Sequence, residues 1–382
     1  MDQIENNTIV SHYLTIHWET FKKDNEIHST EIELILIYQF IVLYTIFRKI
    51  CQNIKKIEQN QFNKESEKQF LVLFNNNCCD HAFKFDVSKN SFSITLSASI
   101  GKIKANYIMT ERLLKSLIDE LKEQDFNSMD ELILEIYSLS SQLNRNSLKM
   151  KKEKGQFNTP MPITNALSEE VLAVASKNYN LSEISILDSS CGIGNFLMSC
   201  FDSLSSKLQM EKPSSQTFFS NLSDIVHTRL FGFDSDTLAI IICNLRLLLR
   251  IIKFHNTNDI KWELIQNFHS NIVKNDFLFE KNIIKPTILI GNPPWGSVKQ
   301  SEYKNNIKKH FNLQGGQIDL YRLFLELIIT SDPAYICLIT PDSWLEIPGA
   351  EKLKRTFLNN RKFKEIFILP ATIFPVSVHQ TL

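Results

Sequence analysis

Proline is absent before Pro160 and glycine nearly so before Gly155, where Gly101 stands alone, although the whole chain holds 11 prolines and 10 glycines. Without these breakers the first part can run in long regular segments, and a mainly helical domain is expected over residues 1–126. No charge of one sign dominates either. Lys plus Arg and Asp plus Glu number 42 each, so the net charge is +0 and no overall attraction to nucleic acid follows. A nucleic-acid surface would have to be local, or lie on another chain. The 7 cysteines contain no C-x-x-C spacing. Their one grouping with histidine, Cys78-Cys79-Asp80-His81, cannot supply a four-ligand zinc site alone, so no metal is expected. Long hydrophobic runs are missing too. The nearest, LILIYQFIVLYTIF at residues 34–47, contains Gln39 and falls short of the roughly 18 to 20 apolar residues of a spanning helix. It reads as a buried core helix, and the chain as having no membrane contact. No signal peptide opens the sequence, which implies a reducing, cytoplasmic setting.

What the chain does have is enough apolar material, 43% of 382 residues, to bury a substantial core. Residues 1–23 and 108–124 carry helical spacing, with a strand-like stretch, FSITLSASI, at residues 92–100. From about Ile184 the pattern changes. Short β-rich runs, ISILD, LFGFD, SNIVKND, TILIG, AYICLIT and KEIFILP, alternate with helical segments. That alternation predicts an α/β fold over residues 127–382, a doubly wound parallel sheet of the Rossmann-like kind.

Ligands of such sheets sit at the carboxyl ends of the strands, so the residues closing each run are read together. The first run ends in Asp188-Ser189-Ser190-Cys191-Gly192-Ile193-Gly194, an acid followed by a two-glycine turn that opens a helix. Glycines there let a ligand approach the backbone closely, although a plain tight turn explains them as well. The second ends in Asp234-Ser235-Asp236. Asp234 suits two ribose hydroxyls, and Asp236 suits the cap of the helix that follows. The third ends in Asp276-Phe277, a carboxylate for an amino group and a ring for a heterocycle face.

The fourth ends in Asn292-Pro293-Pro294-Trp295, which can continue neither as a helix nor as a central strand. Asn292 offers a side-chain carbonyl, the proline pair fixes the direction of a backbone carbonyl, and Trp295 adds a flat face beside them. Two acceptors and a stacking plate suit a planar ring that bears an exocyclic NH₂.

GQFNTP (155–160), DSSCGIGNFL (188–197), GFDSD, NDFL, NPPW and DLYRLF (319–324) follow one another in an order that resembles the N6-adenine DNA methyltransferases of the type I and type IIG restriction-modification kind. The resemblance covers roughly residues 130–382. The chain departs from the usual pattern at Asn158, Ser189 and Ile193, where the family more often has an aromatic, a proline and a serine. The resemblance implies that Gly155, Phe157, Thr159 and Pro160 close over the methionine end of S-adenosylmethionine. It implies that Asp188, Cys191, Gly192 and Gly194 hold the amino-acid moiety, Asp234 the ribose, and Asp276 with Phe277 the adenine. Asn292, Pro293, Pro294 and Trp295 would receive a target adenine flipped out of duplex DNA, the catalytic step of a site-specific adenine methyltransferase in phage defence.

The basic segment 299–317 is expected to be either a solvated loop or a flap that orders over the flipped base. The run from Phe374 to Leu382 resembles the family's seventh strand, which lies antiparallel between the fifth and sixth. With the chain stopping inside it, the expectation is a catalytic domain that is incomplete there and takes its target-recognition domain or subunit from another chain. Two other readings stand beside this one. A protein-glutamine methyltransferase of the release-factor kind also presents a corner like N-P-P-Y to a planar NH₂, but has no need of GQFNTP or DLYRLF. A remnant that binds cofactor without transferring methyl is the other. A nuclease is not expected, because the E-x-K at Glu120-Leu121-Lys122 lies in a helical stretch and not on a strand.

Overall fold

The computed structural model describes residues 81–86, 91–98, 101–108, 126–143, 158–211, 213–254, 268–280, 284–296, 307, 310–312, 319–360, 364–370 and 373–374. The helices expected at 1–23 and, after residue 108, up to 124, the apolar run 34–47, the Glu120 to Lys122 stretch, most of 299–317 and all of 375–382 lie outside them. The chain forms two compact units, one made of residues 1–147 and 237–269, the other of residues 148–236 and 270–382. Its described helices are α1 (Phe126–Leu143), α2 (Met161–Ala175), α3 (Asn195–Met210), α4 (Ser215–Asp224), α5 (Thr237–Phe254), α6 (Leu320–Ser331) and α7 (Glu351–Asn360).

In the first unit, β1 (His81–Asp86), β2 (Ser91–Ala98) and β3 (Gly101–Ile108) form an antiparallel sheet in the order β1-β2-β3. The strand-like stretch at 92–100 falls on β2. The described part of residues 1–126 is therefore β-sheet. α1 buries Met129, Ile133 and Ile136, an i, i+4, i+7 stripe. α5 is apolar nearly all round, and 14 of its side chains are buried from Leu238 to Ile252. Two arginines break that apolar run. Arg246, with no exposed surface, donates from Nε to Asp130 Oδ1 of α1 at 2.7 Å, and Arg250 lies 3.3 Å from the other oxygen. Burial pushes the Asp130 carboxyl up, but the two guanidiniums outweigh it and hold it below the usual carboxylate range.

The second unit holds the parallel sheet: β4 (Ile186–Asp188), β5 (Leu230–Asp234), β6 (Asn271–Lys274), β7 (Ile288–Gly291) and β8 (Tyr335–Leu338), in the order β6-β5-β4-β7-β8. The order reverses direction at β4, so the crevice between the ends of β4 and β7 is the topological switch point of a doubly wound sheet. Every β4 residue is buried. Leu187 and Leu289 face a core with Leu323, Phe324 and Ile328 of α6. The opposite face carries Gly232, where an added Cβ would sit 3.0 Å from Leu197 of α3, so α3 packs closely there. A polar seam joins α2 to α3, in which the Thr164 and Ser199 hydroxyls lie 2.8 Å apart and Ser199 donates to Asn165 at 2.6 Å.

The sixth run, KEIFILP, is not a ladder strand among the described residues. It stays extended with a single bridge at Leu369 and leaves Ile366, Phe367 and Ile368 half exposed. Its apolar content suits a strand, but a strand exists only where a neighbouring edge takes up its backbone groups. Between this segment and β8 lies an apolar groove of about 500 Å³.

Candidate active site

Three backbone segments converge at the switch point. A narrow cleft of about 40 Å³ there is lined by Asn158 and Thr159, by Asp188 and the 190–196 turn, and by Asn292. Chain separations of more than a hundred residues are closed by the parallel register, which sets Asp188 beside both Gly232 and Ile290.

Asp188 is 1% exposed and accepts the Ser190 N–H at 3.0 Å. Burial raises its carboxyl to about 7. The Ser190 hydrogen bond works against that, and the Asp234 charge adds to it. Gly291 faces this carboxylate at φ 153, and a Cβ there would lie 2.6 Å from Asp188 Oδ1. Glycine at the end of β7 is thus what gives the acid its room. Beyond Asp188 the chain turns through Gly192 at φ 53 and Gly194 at φ 84, left-handed conformations that admit α3 without side-chain clash.

Asp234 ties that turn to β5. Its Oδ2 accepts the Gly192 N–H at 2.8 Å and its Oδ1 the Asp236 N–H at 2.8 Å, while Cys191 N–H bonds to the Phe233 carbonyl. Burial raises Asp234 to about 6. The Ser235 backbone N–H also bonds to this carboxylate, and since an ionised carboxylate has about four acceptor positions, about one remains for a ligand hydroxyl. Two carboxylates held protonatable by burial at one crevice form a site that a cation would ionise and stabilise.

Asp276 accepts the Leu278 N–H at 3.1 Å and so caps the 3₁₀ turn Phe277–Phe279. Phe277 is not open to a heterocycle here. At 1% exposure its ring lies in the core, 5.5 Å from Phe233 and 5.9 Å from Phe324. A large ring immediately after a strand gains more from burial against two aromatics than from a solvent face.

At the corner, Asn292 Nδ2 donates to Thr159 Oγ1 at 3.2 Å, and its backbone carbonyl accepts the Ser190 hydroxyl at 3.3 Å. Asn292 Oδ1 is buried without a hydrogen-bond partner. Such an atom costs about 1 to 3 kcal/mol and calls for an explanation. Pro293 is buried and Pro294 and Trp295 are partly so. The Trp295 ring meets Phe374 edge to face, with centroids 5.0 Å apart and planes at 72°. Leu320 N–H bonds to the Gly296 carbonyl at 2.9 Å, which links the corner to the DLYRLF segment at the start of α6.

The structure thus brings together Thr159, Asp188, Cys191, Gly192, Gly194, Asp234 and Asn292. Pro160 precedes α2 and leaves the cleft wall to Thr159. Gly155 and Phe157 lie outside the described residues. Ser190 and Asn195, both lining the cleft, were not among the residues singled out from the sequence. A hydroxyl and a carboxamide inside a two-glycine turn were the available signal.

This sheet order, with its acids and glycine turn, defines an S-adenosylmethionine-dependent methyltransferase fold, and S-adenosylmethionine is the cofactor that the fold implies. Residues 228–374 match the family model described as Eco57I restriction-modification methylase. Over 274 residues the chain is 25% identical to the type I restriction enzyme EcoEI methylase subunit of Escherichia coli, covering 70% of this chain and 49% of that one. It is 22% identical to the type II restriction enzyme and methyltransferase RM.Eco57I of Escherichia coli, covering 84% and 34%. The chain spans about half the length of the first of these relatives and a third of the second. Among solved structures, the type IIG restriction endonuclease BpuSI shares the fold at a TM-score of 0.55 and 15% identity, over 96% of this chain and 38% of that one. A modification subunit assigned to a type I restriction enzyme from Vibrio vulnificus YJ016 does so at 0.51 and 14%, over 90% and 74%.

The acids at the crevice suit that cofactor. Its cationic ammonium and sulfonium suit the Asp188 and Asp234 pair, and a ribose hydroxyl suits the remaining acceptor position of Asp234. No helix among the described residues is long and apolar enough to cross a membrane.

Proposed function

We propose that this chain is the catalytic part of a site-specific DNA methyltransferase that modifies the N6 amine of adenine within a restriction-modification system. Double-stranded DNA is its substrate, and a recognition domain or subunit on another chain chooses the site, in the cytoplasm. The observation that carries this reading is the side-chain oxygen of Asn292, buried and unpaired at the switch point. It is an acceptor awaiting a donor, and an exocyclic NH₂ supplies one.

S-adenosylmethionine, when bound, supplies a methyl group on a positively charged sulfur. Asp188, Asp234, Asp276 and the Cys191 to Gly194 turn would hold it, and Thr159 lies at the cleft wall. The Asn292 side-chain oxygen and the Pro293 carbonyl each accept one hydrogen of the target amine. That draws the hydrogens out of the ring plane and frees the nitrogen lone pair, which is otherwise delocalised into the ring. Catalysis is then positioning plus electrostatics, without a covalent enzyme intermediate. An amine inside a duplex cannot reach such a corner, so the base is flipped and Trp295 stacks on it.

The test is methyl transfer from labelled S-adenosylmethionine to adenine-containing duplex DNA, with the modified nucleoside identified. Asn292→Ala should lower turnover by about 10² to 10³-fold, the usual loss when one aimed polar group is removed, while cofactor affinity stays near wild type. Equal loss of both would mean that the corner holds the cofactor or the fold. Label in a protein glutamine instead of DNA would turn the reading to the release-factor kind of enzyme.

A further inference from the structure

Resting on that reading, we infer that Thr159 is a positioning residue for the transfer step, acting through Asn292. A carboxamide has two ends of similar shape and opposite hydrogen-bonding sense. If its NH₂ faced the crevice, a donor would meet the donor hydrogens of the target amine and the corner would repel its substrate. Here Nδ2 is engaged at 3.2 Å by Thr159 Oγ1, which leaves Oδ1 as the end that is buried and free. Thr159 therefore holds the plane of the amide with Nδ2 toward itself, the orientation that leaves Oδ1 to the crevice.

Thr159 is itself held. It is 4% exposed, and its backbone carbonyl accepts the Asn195 side-chain amide at 2.8 Å from the first residue of α3. Asn195 closes the same turn whose Gly192 N–H is bound by Asp234, and Ser190 of that turn donates to the Asn292 backbone carbonyl. The chain of contacts runs from the cofactor turn through Asn195 and Thr159 to the Asn292 amide. The acceptor for the target amine is thus complete only while residues 158–160 lie down over the cofactor turn.

The test compares wild type, Thr159→Ser, which keeps the hydroxyl, and Thr159→Val, which keeps the shape without it. With asparagine side chains labelled for NMR, the Asn292 amide, assigned by its absence in Asn292→Ala, should show one hydrogen protected from exchange in wild type and Thr159→Ser. That protection should be lost in Thr159→Val. Single-turnover methyl transfer should fall on the order of 10²-fold in Thr159→Val with little change in KM, the loss expected from a misplaced reacting group, and recover in Thr159→Ser. In the Asn292→Ala background, Thr159→Val should add little, since both changes remove one interaction. An Asn292 amide indifferent to Thr159→Val overturns the inference whatever the activity, as does a full additional loss in the double variant. If the amide responds as stated but Asn292→Ala transfers methyl to adenine as well as wild type, the proposed function fails and the Thr159–Asn292 coupling stands.

Discussion

Asp188 shows how much a single residue at the crevice depends on its neighbours. It is an ordinary strand-end acid in the sequence, but in the fold it is buried against a glycine that must lack a Cβ, and its carboxyl rises to about 7. In the unfolded chain it titrates near the usual carboxylate value, about 4. Between the two values the folded form keeps a proton that the unfolded form has lost. This contribution to stability is therefore fully present below about pH 4 and is lost as pH rises through 7, with a size on the order of 2 to 4 kcal/mol. Denaturant unfolding of wild type should show that decline, and Asp188→Asn should flatten it. A stability that rises between pH 5 and 8 equally in both proteins would contradict the assignment. The sequence places this acid at the end of its strand, beside the crevice. It could not show the proton, because that follows from Gly291 and Asp234, both remote in the chain. Phe277 illustrates the same limit from the other side, since a ring after a strand looks available until Phe233 and Phe324 enclose it.

Among the elements, the clasp of α1 on α5 offers the sharpest test. Arg246 is fully buried in an apolar helix, and its carboxylate partner comes from 116 residues earlier. Removing one partner of such a pair leaves an uncompensated charge, so Asp130→Ala should cost about 3 to 5 kcal/mol in denaturant unfolding. A loss below about 1 kcal/mol would mean that Arg246 finds equivalent partners. Because the Asp130 carboxyl is held below its usual range, this contribution is present above about pH 4 and lost as pH falls through the lowered value. Element types were largely legible. The runs at 186–188, 230–234, 271–274, 288–291 and 335–338 are strands, each followed by the turn or helix that the pattern indicated. KEIFILP was not legible, since local composition cannot tell an apolar strand from an apolar segment that lacks an edge to pair with.

For the whole molecule, binding of S-adenosylmethionine should appear as stability before any catalysis is measured. At a concentration of about 100 times its Kd, a ligand of the folded state alone adds about 2.7 kcal/mol, and thermal unfolding should shift upward with ligand concentration. Hydrogen exchange should slow at residues 158–159 and 188–195, the walls of the cleft. An unchanged transition and unchanged exchange in well-folded protein would count against the cofactor site. The sequence by itself determined what can be read from neighbours in the chain. It showed that glycine turns and acids close successive strands, that N-P-P-W must be a rigid corner, and that strands alternate with helices from about residue 184. These follow from backbone sterics and periodicity, which act over a few residues. Tertiary structure alone decided the order β6-β5-β4-β7-β8, and with it which residues meet. Asn292 is turned by Thr159, 133 residues away, and Asp234 is bridged to Gly192, 42 residues away. Such pairings are set by packing layers around β4, so no local pattern encodes which end of the Asn292 amide is left facing the crevice.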